Sequence, residues 1–181
     1  GEYVVDLSAG SVSSCLLTSR GSVWCWGGDT YGTLGLPFSK KDRTIGNHGA
    51  YSTAAHAFAR GPVALSGAAV AVSCGSAHTM VLLAGGALQH FGLHTFGQGG
   101  RQYSGTENSG HNDIPRKYGT VPVGYTAPVQ LATQLRPSQS SFHRYNQVSA
   151  ASSNTHRVCA IDVWGALLCW GDASPKDRLS V

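Results

Sequence analysis

Apolar positions come in short bursts along this chain, and the bursts are paired across gaps of three residues. In the first pair, Ser14-Cys15-Leu16-Leu17-Thr18 and Ser22-Val23-Trp24-Cys25-Trp26 flank Ser19-Arg20-Gly21. Short runs rich in apolar, β-branched and aromatic residues predict strands. A three-residue connection with Gly third predicts a hairpin closed by a type I turn and a G1 bulge. Ala84-Gly85-Gly86 and Val163-Trp164-Gly165 repeat that turn chemistry. Both faces of the first hairpin are apolar, with Cys15, Leu17, Val23 and Cys25 on one and Leu16, Trp24 and Trp26 on the other. Such a sheet is expected to lie pressed between neighbours, not against solvent.

The hairpins belong to a longer internal repeat. Segments beginning at Val4 and Ala69 align without a gap, matching Gly10 with Gly75, Gly21 with Gly86, Gly27 with Gly92, Gly32 with Gly97 and Gly35 with Gly100. A third segment from about Gln147 aligns at Gly165 and Gly171, and places Asn154 where the others have Gly10 and Gly75. Asn tolerates positive φ better than other non-Gly residues, so the alignment predicts a left-handed backbone at that position.

The order V-x-V-x-x-G-x-x-H-T, an apolar strand, G-x-V-x-x-W-G and then x-x-G-x-L-G resembles the RCC1 (regulator of chromosome condensation) repeat. Val70, Val72, Gly75, His78, Thr79, Gly86, Leu88, Phe91, Gly92, Gly97 and Gly100 carry it in the second repeat. Gly21, Val23, Trp26, Gly27, Gly32, Leu34 and Gly35 carry it in the first, and Pro62-Val63 and Pro128-Val129 fall where such repeats resume. The resemblance implies an all-β fold of RCC1-like β-propeller blades, seven in full members. Three units are expected: 1–69 with a loop insertion, 70–147 with a long polar insertion over 101–146, and a partial third over 148–181. About two and a half blades cannot close a ring of the usual four to eight. The chain is therefore expected to be part of a larger polypeptide or to be completed by another chain.

Cys15 and Cys25 sit symmetrically about the first turn, and Cys159 and Cys169 about the third. The second repeat has Met80 and His90 there, so both cysteines are absent together. Joint presence and joint absence favour two intra-hairpin disulfides, since opposed antiparallel positions lie within bonding reach. Four buried thiols, or a zinc site shared between hairpins, are the alternatives. Cys74 aligns with small residues and reads as packed filler. Disulfides would imply an oxidising compartment, outside the cell or at its surface, with a mitochondrial setting as the alternative. CWG-containing RCC1-like repeats of extracellular receptors and secreted proteins look similar.

Composition agrees with this picture. Apolar residues make up 41% of the 181, charged residues 12%, and Gly is abundant at 24. That mixture suits short strands and Gly-dependent turns, and argues against disorder. The net charge of +4 is scattered, apart from Lys40-Lys41-Asp42-Arg43, which reads as a solvated loop more than a nucleic-acid contact. No apolar run approaches the roughly 20 residues of a membrane-spanning helix.

Candidate chemistry is sparse. The nine carboxylates form no paired motif, and neither a phosphate-binding loop nor a nucleophile elbow nor HExxH occurs. His90 and His94 are four apart but straddle a strand end, so packing is favoured over metal binding. His78 is expected to make a structural hydrogen bond to a neighbouring strand, and His156 falls one place from the matching position. No catalytic residue, metal or cofactor is assigned. Trp26 and Trp170 are expected in the core. Trp164, in mid-turn where Arg20 and Gly85 stand in the other repeats, is a candidate partner contact together with Arg20. A non-catalytic scaffold binding other proteins is the leading expectation. A guanine-nucleotide exchange factor, as the founding family implies, and a subunit of a large organellar assembly are the alternatives.

Overall fold

The computed structural model describes residues 1–29, 31–35, 51–52, 54–93, 98–99, 129–130, 145–151, 156–165 and 167–171. Three antiparallel sheets follow one another along the chain. The first comprises β1 (Val4–Ala9), β2 (Ser13–Thr18), β3 (Val23–Gly28) and β4 (Tyr51–Ser52), in that spatial order. A helix, α1 (Ala54–Arg60), separates it from β5 (Ala69–Cys74), β6 (His78–Leu83) and β7 (Leu88–Gly92). The third sheet runs β8-β11-β10-β9, with β8 at Val129–Gln130, β9 at Tyr145–Ala150, β10 at Arg157–Asp162 and β11 at Leu167–Gly171.

The second-to-third-strand turns are built as their sequence predicts. Gly21, Gly86 and Gly165 adopt φ of 77°, 79° and 83°. Each donates its N–H back across the turn, to Thr18, Leu83 and Asp162 respectively. Any side chain there would be strained.

The sheets stack as propeller blades. Strand β6 alternates its side chains between two cores: Val81 and Leu83 join Cys15, Leu17 and Val23 of the first blade, while Met80 and Leu82 join Val158 and Trp170 of the third. Burying a sheet on both faces is what its unbroken apolar pattern requires. Contacts between blades run through the inner strands, β5 against β1 and β2, and β9 against β5 and β6.

Three features differ from expectation. The 36–60 stretch, read as a loop, contains α1, whose four alanines favour helix. It packs on β3, with the Phe58 ring 5.1 Å from Trp24, and Val63 then rejoins the edge of β3 by donating to the Val23 carbonyl. Secondly, Gly10 and Gly75 are not left-handed. They are small because space is short: a Cβ on Gly75 would overlap the His78 ring, and one on Gly10 would overlap the Gly75 carbonyl. Thirdly, their counterpart in the last repeat is Ala151, not Asn154. Ala151 N–H bonds to the Arg157 carbonyl at 2.9 Å, as Gly10 does to Ser13 at 2.8 Å and Gly75 to His78 at 2.7 Å. The first-to-second-strand connection spans residues 151–156 in the third blade against 75–77 in the second, so the repeat offset changes there. Asn154 itself lies outside the described residues.

Candidate interaction surface

Two kinds of hydrogen bond from backbone N–H groups recur at both blade junctions. Ser8 Oγ accepts from Cys74 N–H at 2.9 Å, and Ser73 Oγ accepts from Ala150 N–H at 2.8 Å. The turn glycine of each blade accepts from the first strand of the next, Gly21 from Ala69 at 2.9 Å and Gly86 from Tyr145 at 2.7 Å. Gly21 also permits the approach, since a Cβ there would come within 2.7 Å of Ala68 Cβ. A third contact keeps its acceptor and changes its donor. Thr79 Oγ1 donates to the Thr33 carbonyl at 3.1 Å, and Trp170 Nε1 to the Gln98 carbonyl at 2.9 Å. Thr33 and Gln98 are repeat-equivalent; where the third blade has Val158 in place of the Thr79 hydroxyl, its indole supplies the proton instead.

Cys15 is bonded to Cys25 and Cys159 to Cys169, each pair directly opposed across a hairpin. The first bond lies buried under the second blade, whereas both sulfurs of the other pair belong to half-buried residues. Cys74 is free and buried, and burial pushes its thiol up to about 11. Thiolate chemistry at neutral pH is thereby suppressed.

His78 is fully buried between the second and third blades, its ring against Gly75. The backbone group facing the ring is that of Arg157 on β10, the neighbouring strand, and neither ring nitrogen meets it in full hydrogen-bond geometry. Burial above all, with His156 nearby, lowers its pKa to about 4, so the ring is neutral at physiological pH. His90 is buried with its ring centroid 5.9 Å from that of His78, and its Nε2 lies 3.1 Å from the Leu93 carbonyl. His94 lies outside the described residues. Among the described residues, no group of three or more His, Cys, Asp or Glu side chains is placed to hold a metal.

The second-to-third-strand turns occupy one end of all three blades and carry the predicted contact residues. Trp164 is 55% exposed, with its backbone N–H held by Asp162 Oδ1, and Arg20 is exposed at the equivalent turn. Trp170 is in the core as expected, but Trp26 is only half-buried. It stands where the fully buried Phe91 stands in the second blade, and the first blade has no described blade before it. The 101–146 insertion, apart from Val129–Gln130 and Tyr145 onward, and the Lys40–Arg43 cluster lie outside the described residues. No described helix is long and apolar enough to cross a membrane.

Profiles of the regulator of chromosome condensation (RCC1) repeat match residues 4–33, 69–98 and 20–82, together more than half of the chain. Among solved structures, human WBSCR16 superposes with a TM-score of 0.57 at 16% identity, over 93% of this chain and 33% of its own. Yeast RCC1 (Prp20), solved bound to Kap60, gives 0.56 at 19% identity, over 93% and 32%. Prp20p from Saccharomyces cerevisiae, described with its binding to Gsp1p and histones, gives 0.56 at 17%, over 93% and 33%. The chain thus spans about a third of the length of these propellers. None of the curated proteins matches it in sequence.

Proposed function

The chain belongs to the RCC1 repeat family, and from that premise we propose that it is a non-catalytic β-propeller scaffold that binds other proteins in an extracellular or cell-surface assembly. The observation that carries this reading is the exposed turn end, where Trp164 stands 55% open to solvent with Arg20 at the equivalent turn. Trp and Arg are the residue types enriched at binding hot spots. The turns are held by glycine and backbone hydrogen bonds, so the backbone that carries Trp164 and Arg20 loses little freedom on binding.

The two disulfides support an oxidising compartment, because cytosolic and nuclear proteins seldom keep such bonds. This favours the surface setting over a nuclear exchange factor. The test has two arms. Intact mass of protein from its native source, with free thiols alkylated under denaturing conditions, is expected to show one free cysteine and four bonded. Affinity capture from the surface fraction of the source cells compares wild type with Trp164→Ala and Arg20→Ala. A partner lost with either variant, at unchanged thermal stability, supports the reading. Five free thiols, or a set of bound proteins indifferent to both variants, would overturn it.

A further inference from the structure

The two junctions are alike in their hydrogen bonds and unlike in their titratable groups. Repeat equivalence places Ser13 of the first blade where the second has His78, and Cys25 where the second has His90. Ser13 does not titrate, and Cys25 is held in a disulfide. At the second junction three histidines converge instead. His78 shares a face of β6 with Met80 and Leu82, which pack on the third blade. His90, paired with Met80 across the hairpin, has its ring centroid 5.9 Å from that of His78. His156, next to Arg157 of β10, meets His78 from the third blade.

The space around His78 suits a neutral ring. It is fully buried, its nitrogens complete no hydrogen bond, and a Cβ on Gly75 would overlap it. Protonation would put a positive charge and two N–H donors there. The Arg157 backbone favours the charged ring, but burial and His156 outweigh it and hold the pKa at about 4. Among the described residues, the other titratable groups of this junction, Tyr145 and Asp162, pair at its opposite, turn end, and Cys74 of β5 belongs to the core of the first junction. That first junction adjoins a group of the opposite sign. Asp29 accepts from Leu34, a residue of its core, and burial raises the carboxyl to about 7, so acid neutralises it in place.

We propose that the second junction is an acid-opened seam: protonation of His78 parts the third blade from the second while the first junction stays closed. Both sides of the seam lie within the described residues, whatever covers the outer faces. A ring whose pKa falls from 6.5 to about 4 on burial favours opening progressively below pH 6.5, by on the order of a hundredfold at pH 4. Opening moves the turn that carries Trp164 away from the turn that carries Arg20. A partner held by both is then released in acid, a consequence that rests on the turn-end reading above.

Hydrogen exchange on the full chain, corrected for the intrinsic pH dependence of exchange, reads each junction through its own cross-blade amides. These are Tyr145 and Ala150 for the second junction, and Ala69 and Cys74 for the first. From pH 7 to 4, protection at Tyr145 and Ala150 is expected to fall about a hundredfold, with Ala69 and Cys74 holding theirs. His78→Ser, which copies Ser13, and His78→Gln, which keeps a neutral polar side chain, are each expected to abolish the fall. Equal loss at all four amides would mean global unfolding and overturn the proposal. Constant protection at Tyr145 and Ala150 would overturn it too, and so would a fall that persists in either folded variant. The measurement uses no partner, so a seam that stays shut leaves the Trp164-dependent capture standing, and a failed capture leaves the seam standing.

Discussion

The second and third blades share a fold and a repeat, yet among the described residues one is covered on both faces and the other on one. Along β6, six consecutive residues are buried; along β10, buried and half-buried residues alternate. The alternation reports that no described blade lies on the outer side, because strand side chains point to opposite faces. Leu82 and Ile161 are equivalent, apolar and close in size, and their surroundings differ by one blade. The pair therefore separates what a residue contributes from what its junction contributes.

The largest effect should appear in that pair. Leu82→Ala is expected to cost about 2–5 kcal/mol by leaving a cavity between blades. Ile161→Ala should cost about 1 kcal/mol or less in the monomer, since its site is still partly solvated. Chemical denaturation would measure both. Equal losses would mean that the junctions add nothing to the blades.

Acid should also act on the covered side. Folding lowers the pKa of His78 from 6.5 to about 4, so the folded state favours the neutral ring. Stability from this group is complete above about pH 6.5 and is lost as pH falls toward 4, up to roughly 3 kcal/mol. Asp29 opposes it: burial raises its pKa from 3.8 to about 7, against the Leu34 N–H and Arg60. Its contribution is present below about pH 3.8 and is lost as pH rises through 7. Stability should be followed by denaturant titration from pH 7.5 to 4 in an Asp29→Asn background. There it should fall with acid, and His78→Leu should flatten the curve. A slope unchanged by His78→Leu would remove the junction histidine from the account.

The same comparison explains what the sequence disclosed. Turn glycines were legible because left-handed φ is a local demand that Gly21, Gly86 and Gly165 meet alone. Paired cysteines were legible because Cys15 and Cys25 face each other across one hairpin. The junction contacts were not, since Ser8 and Ser73 look like any polar residue near a turn until another chain segment reaches them. Ser149, their equivalent in the third blade, was further hidden by three extra residues in the following connection, which break the repeat offset. Trp26 and Phe91 show the limit from the other direction. Equal pattern positions received unequal burial because burial depends on which blade lies alongside. The exposure of Trp164 could be inferred from its mid-turn position; what docks there could not, because a partner leaves no trace in local pattern.

Reduction sharpens the contrast between the ends. The Cys159–Cys169 bond is expected to yield first to a mild reductant under native conditions, because attack needs access and Cys15–Cys25 is covered. Differential alkylation followed by peptide mass analysis reads the order directly. Each bond closes a short loop, worth at most about 3 kcal/mol in the chain-entropy model. Reduction of the buried pair first would mean that the first junction opens more readily than the third blade's free face is reached.

The smallest expected effect isolates a single hydrogen bond. Ser73→Ala should cost about 1–2 kcal/mol, because it leaves the Ala150 N–H without its side-chain acceptor inside a junction. Ser149→Ala should leave monomer stability within about 0.5 kcal/mol, as exposed substitutions usually do. One chemical change would thus cost folding energy where a neighbouring blade reaches the hydroxyl and little where no described blade does. If Ser149→Ala instead destabilised the monomer as Ser73→Ala does, the hydroxyl would be serving its own blade. The serine latch would then be a feature of each repeat, not of the junction between them.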